Sequence, residues 1–206
     1  MSERYNRIPV AMAALCLGVA LGGASAQTAS PAASSKPATA TATSKASAAP
    51  GGTMAAGDKQ FAQKAAMGGM AEVQLGQLAQ QKAGNDAVKQ FGSRMVQDHG
   101  KANDELKQIA GAQGVQLPDS LDKKHMQEMQ KLQKLEGAAF DREYMKHMVD
   151  DHKKDVAAFE KESKSGKNAE LKGFAAKSLP TLQEHLKLAQ GVNDSVKGGK
   201  APAKKS

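Results

Sequence analysis

Between Asp58 and Val192 the apolar residues return at alternating steps of three and four, a spacing that an α-helix turns into one continuous face. Four such stripes follow one another. The first runs through Phe61, Ala65, Gly68, Leu75 and Ala79, and the second through Val88, Gly92, Met95, Ala102, Leu106 and Ile109. The third takes Met145, Met148, Val156 and Phe159, and the fourth Leu171, Ala175, Leu182, Ala189 and Val192. Aromatic residues make up only 3% of the chain and tryptophan is absent, so the residues that strands favour are scarce. Four one-sided helices can bury their stripes only against each other. The expected fold is all-α: a four-helix bundle over residues 58–193.

Caps and breakers divide the bundle. Asp58 is expected to cap a first helix that stops at Gly84. Asn85 opens a second, which fades near Gly111 or Gly114. Leu117-Pro118-Asp119-Ser120 reads as a turn, with Ser120 capping a shorter helix that ends near Gly137. A third long helix covers about 138–163, and a fourth follows the Ser165-Gly166-Lys167-Asn168 turn to Val192, kinked at Pro180. The connection between the second and third long helices holds a helix of about 16 residues, about 24 Å long at 1.5 Å per residue. That reach permits a crossover leaving those two helices parallel, as in ferritin-like bundles, with up-down-up-down as the alternative.

The ends of the chain read differently. Arg4 and Arg7, the apolar run Val10 to Leu21, and Ala24-Ser25-Ala26 make a secretory signal, with cleavage expected after Ala26 and the periplasm as destination. Cys16, the single cysteine, lies within that signal. Residues 27–57 are almost entirely Ala, Ser, Thr, Pro and Gly, the composition of a disordered linker, and residues 194–206 are expected to form a disordered basic tail. No stretch suits an integral membrane protein. The formal charge of +8 sits largely outside the bundle. Arg4, Arg7, Lys36 and Lys45 against Glu3 contribute at one end, and Lys197, Lys200, Lys204 and Lys205 at the other. Without a basic stripe interleaved with aromatics, nucleic acid is not an expected partner.

Each stripe is interrupted near its middle by a group able to ligate a metal: Glu72, His99, His152 and His185. Their offsets from the nearest turns place them within one to two helical turns of a common layer. Four buried polar groups are costly without partners. One divalent transition metal (zinc, iron, copper or manganese) would satisfy all four. Asp98, Asp141, Asp151 and Glu184 stand close enough in sequence to orient imidazole N–H groups. Without a metal the same side chains would form a structural Glu/His/Asp network. The segment MVQDHGK at 95–101 returns as MVDDHKK at 148–154, through duplication or through a repeated structural need. No Ser/His/Asp arrangement, glycine-rich phosphate loop or Cys/His cluster is present, so a non-enzymatic role is expected.

With these residues in view, the chain resembles an exported bacterial family classed as domain of unknown function 4142 (DUF4142) and often labelled outer membrane protein. The resemblance lies in Glu72-Val73 with Leu75 and Leu78-Ala79, in Met95 to His99, and in Gly137 to Asp141 with Tyr144. It continues through His152, Phe174-Ala175, Leu179-Pro180 and His185-Leu186, in order across the bundle. It implies a ferritin-like helical bundle in the periplasm with no settled activity. The Glu-x-x-His pairs of di-iron bundles are missing, since Glu143 and His147 are four apart and Glu184 and His185 adjacent. The expected function is therefore an exported bundle of unresolved activity that holds a single metal, for metal handling or stress defence. The alternative is a metal-free module that recognises an unidentified envelope partner.

Overall fold

A computed structural model describes residues 54–198. Five helices follow in order: α1 (Ala56–Lys82), α2 (Asp86–Ala112), α3 (Lys123–Gln133), α4 (Gly137–Ser165) and α5 (Ala169–Lys197). No strand occurs among the described residues. The secretory signal of residues 1–26, nearly all of the linker and the end of the tail lie outside the described residues.

Local chemistry sets the breaks. The Asn85 side chain accepts from Ala87 N–H, and that of Asn168 from Leu171 N–H, so each hairpin turn ends in an asparagine cap. Past the end of α2, Gly114 takes φ +65°, where a side chain would be strained. The short helix differs from expectation: its cap is Asp122, which accepts from His125 N–H, rather than Ser120. Helix α1 starts two residues early and Asp58 lies inside its first turn, not at its cap. Helix α5 passes through exposed Pro180 and continues to Lys197, so residues 194–197 are helical rather than tail. Val196, four residues beyond Val192, extends its apolar face, and both pack against the core.

Helices α1 and α2 form one hairpin and α4 and α5 another. Lys82 at the end of α1 pairs with Glu136 at the start of α4, while Gln113 after α2 bonds Glu170 at the start of α5. Both cross-hairpin neighbours are thus antiparallel, which makes α2 and α4 parallel and diagonal. Of the two topologies open from the sequence, the crossover is the one adopted, with α3 carried along the connection.

The hairpins lock at both ends through reciprocal aspartates. Asp58 is buried and accepts from the backbone N–H groups of Lys167 and Asn168 in the α4–α5 turn. Asp141 is buried at the opposite end and accepts from Gly84 N–H, 3.0 Å away, in the α1–α2 turn. Burial raises the Asp141 pKa, partly offset by the backbone N–H groups of Gly84 and Asn85. Removing either acceptor leaves part-buried backbone N–H groups in the facing turn without their partner. Asp58→Ala and Asp141→Ala are each expected to lower unfolding free energy by about 1–2 kcal/mol, read from urea unfolding curves. Exposed Asp119→Ala should leave those curves unchanged.

The apolar core falls into two clusters. One gathers Leu75, Phe91, Met95, Phe140, Tyr144 and Met148 towards the α1–α2 turn. The other gathers Ala62, Leu106, Phe159, Leu171, Phe174 and Leu182 towards the opposite end. A buried polar layer separates them.

Candidate metal centre

That layer contains Glu72, His99, His152 and His185, one from each long helix, at 1%, 7%, 0% and 0% exposure. The three imidazole rings form a nearly equilateral group, with centroids 5.7 Å apart for His99–His152, 5.3 Å for His99–His185 and 5.4 Å for His152–His185. One ring nitrogen of each lies within 4.8 Å of the others.

Helix packing explains how α1 and α2 supply their pair. Gly76 and Gly92 face each other across the hairpin, and a Cβ on Gly76 would stand 2.6 Å from the Gly92 carbonyl oxygen. This close approach lies one turn from Glu72 and lets its carboxylate Oε2 come within 2.9 Å of His99 Nδ1. The other two imidazoles are anchored in the same sense. His152 Nδ1 is 2.9 Å from the Met148 carbonyl oxygen, and His185 Nε2 is 2.8 Å from Asp98 Oδ2. In each case the partner is an acceptor, so the ring nitrogen involved carries the proton. The remaining atoms, His99 Nε2, His152 Nε2, His185 Nδ1 and Glu72 Oε1, are buried without a hydrogen-bond partner.

Burial dominates the electrostatics. It lowers the His99 pKa despite nearby Asp155, Asp98 and Asp151. It pushes His185 down to about 4, against the Asp98 hydrogen bond and with help from His99 and His152. Glu72 is pushed up to about 7 by burial, eased by His152 and aggravated by Asp151. Neutral imidazoles are the form that offers a lone pair.

The flanking acids divide into separate tasks. Asp98 binds His185 and is itself held by Arg94 Nε at 3.2 Å. Burial works to raise its pKa, but those hydrogen bonds outweigh it and hold the carboxyl below its usual range. Glu184 touches no imidazole; it forms a two-pronged pair with Arg94 at 3.0 and 2.9 Å, and so supports Asp98 from outside. Asp141 is three helical turns from His152 and caps the α1–α2 turn, which corrects its expected role beside an imidazole. Asp151 instead joins Glu72 and Asp155 in a carboxylate group whose oxygens lie within 4.8 Å of one another. Asp155 and Arg94 were not anticipated. Their signals are the i,i+4 spacings Asp151–Asp155 and Arg94–Asp98, which place both beside residues already singled out.

Comparison with known proteins places the scaffold. A crystallised DUF305 fragment from Deinococcus radiodurans superposes with a TM-score of 0.61 at 14% identity, covering 69% of this chain and 99% of that one. A DUF305 protein of Streptomyces coelicolor gives 0.58 at 15% identity, covering 72% and 96%. At such identities the likeness extends to the fold alone. Among curated proteins none matches. Residues 27–192 match the family model described as "Domain of unknown function (DUF4142)", and the chain belongs to that family.

Proposed function

We propose that this protein is an exported helical bundle that holds one divalent transition metal on His99, His152, His185 and Glu72, in a metal-handling or stress-defence role. One observation carries the reading: each imidazole in the layer spends one N–H on an acceptor (His152 on the Met148 carbonyl, His185 on Asp98, His99 on Glu72 Oε2) and leaves its other nitrogen unpartnered within the buried layer. Metal-binding histidines are oriented in this way. A second observation supports it. Glu72 Oε1 and His152 Nε2 stand 3.4 Å apart, close to the roughly 3.3 Å expected between two donors at 2.0–2.1 Å from a tetrahedral ion. Imidazole with carboxylate suits zinc, iron, copper or manganese.

Export rests on the signal pattern of residues 1–26. Among the described residues no helix is long and apolar enough to cross a membrane.

The test is a metal titration of purified, untagged protein stripped by a chelator. Zinc chloride should bind at one tightly held ion per chain by elemental analysis. At a thousandfold excess over Kd it should stabilise the fold by about 4 kcal/mol in calorimetry. His99→Ala, His152→Ala and His185→Ala should each abolish that gain. An undiminished gain in all three variants would reject the centre and favour the metal-free module.

A further inference from the structure

The repeated segment acquires a physical meaning in the bundle. A duplicated hairpin would match α2 with α5, yet the repeat matches α2 with α4, the two parallel diagonal helices. Asp98-His99 and Asp151-His152 therefore occupy equivalent places about an approximate twofold axis, and His185 on α5 becomes the counterpart of Glu72 on α1. On one side Asp98 meets His185 and Arg94, which satisfy it. On the other side Asp151 meets Glu72 and Asp155, so three carboxylates gather where the first side has an acid, an imidazole and a guanidinium. His147 stands in the position equivalent to Arg94, and burial lowers its pKa, so it supplies no fixed positive charge. Among the described residues the only cation bonded to the group is Lys154, 3.4 Å from Asp151 Oδ1 with a side chain 64% exposed.

Two further observations point to an occupant. Glu72 is 99% buried, and its Oε1 has no hydrogen-bond partner. A void of about 20 Å³ lies between Glu72, His99, Asn103 and Asp155, enough for one ion or water. Asp155 lines both this void and an open groove of about 800 Å³ running beside α1 and α4, which Asp151 also lines. The group thus stands between solvent and the histidines.

We propose that Glu72, Asp151 and Asp155 form a second cation position at the floor of the groove, with Glu72 shared between it and the histidine centre. Its donors are all oxygen, so it takes a harder divalent ion than the imidazoles do, manganese being a suitable probe. Sharing of Glu72 rests on the single-metal reading above; the position itself does not.

The experiment loads the protein with one equivalent of zinc, removes excess, and titrates with manganese chloride while free manganese is followed by electron paramagnetic resonance. The wild-type chain should retain its zinc and take up one manganese. Asp151→Asn with Asp155→Asn should retain the zinc but weaken manganese binding by at least about tenfold. This double variant removes like charges and keeps side-chain volume, so the metal-free form should melt no lower than wild type. Zinc retention without manganese uptake, or equal uptake by the double variant, would overturn the second position and leave the histidine centre standing. Manganese uptake lost in the double variant, in a chain that holds no zinc, would instead remove the histidine centre and keep the acidic one.

Discussion

Gly76→Ala should destabilise the protein by about 1–3 kcal/mol, while Gly173→Ala and Gly191→Ala should each stabilise it by up to about 1 kcal/mol. The chemical change is the same at all three positions, and the surroundings decide its sign. Alanine is the better helix former, so each exchange begins with a gain. At Gly173 and Gly191, on the exposed face of α5, a Cβ would meet nothing within 4 Å, and the gain survives. At Gly76 the Cβ would lie 2.6 Å from the Gly92 carbonyl oxygen, which is backbone and cannot rotate away. Gly92 is hemmed in reciprocally: a Cβ there would stand 2.8 Å from Ala79 Cβ and from the Gly76 carbonyl oxygen. Relief requires α1 and α2 to move apart, and that also lengthens the Glu72–His99 contact one turn away. Gly76→Leu should therefore cost more than Gly76→Ala and impair zinc binding as well. Thermal melts of the four variants and a zinc titration of the two at Gly76 check this. A stabilised Gly76→Ala would mean that the hairpin is not held at the observed separation.

The bundle was legible because its signals are local and repeated. A three-four stripe gives a helix its buried face, and asparagines at 85 and 168 mark both hairpin turns. The same stripes isolated Glu72, His99, His152 and His185, since a ligating group on an apolar face is conspicuous. A stripe gives the face of a residue more reliably than its height. Asp141, Met145, Met148 and His152 follow one another at the same three-four spacing, yet Asp141 lies at the bundle's end, where a backbone N–H claims it. Asp155 was passed over because the stripe steps from His152 to Val156, and only packing shows that the position beside it turns towards Glu72. Glu184 adjoins His185 in sequence, but neighbouring helix positions point about 100° apart, and Arg94 captures it instead. The meaning of the MVxDHxK repeat was hidden for a deeper reason. It depends on α2 and α4 being parallel, which rests on how a 24-residue connection is routed and not on any local pattern.

Glu72→Gln should make the metal-free protein more stable and leave it indifferent to zinc. A glutamine amide can accept from His99 Nδ1 with its oxygen and donate to His152 Nε2 with its nitrogen, filling the contact that Glu72 Oε1 leaves open. It also removes a carboxylate that burial pushes up to about 7 from its ordinary 4.5. An acid shifted upward binds its proton more tightly in the folded state, so the fold loses stability as pH rises from about 4.5 through 7. Once that loss is complete it amounts to about 3 kcal/mol. The depressed pKa values of His99 and His185 act in the opposite direction over part of this range, since a buried neutral imidazole favours folding as pH rises. Both variants retain them. The difference between chelator-treated wild type and Glu72→Gln should therefore be small near pH 4.5 and widen steadily to pH 8. Urea unfolding at several pH values gives that difference, and a flat one would show that Glu72 is not the strained member of the layer. The zinc titration supplies the other half, because a neutral amide cannot replace the anionic donor. A gain in stability joined to a loss of binding is the mark of a residue kept for what it holds rather than for the fold.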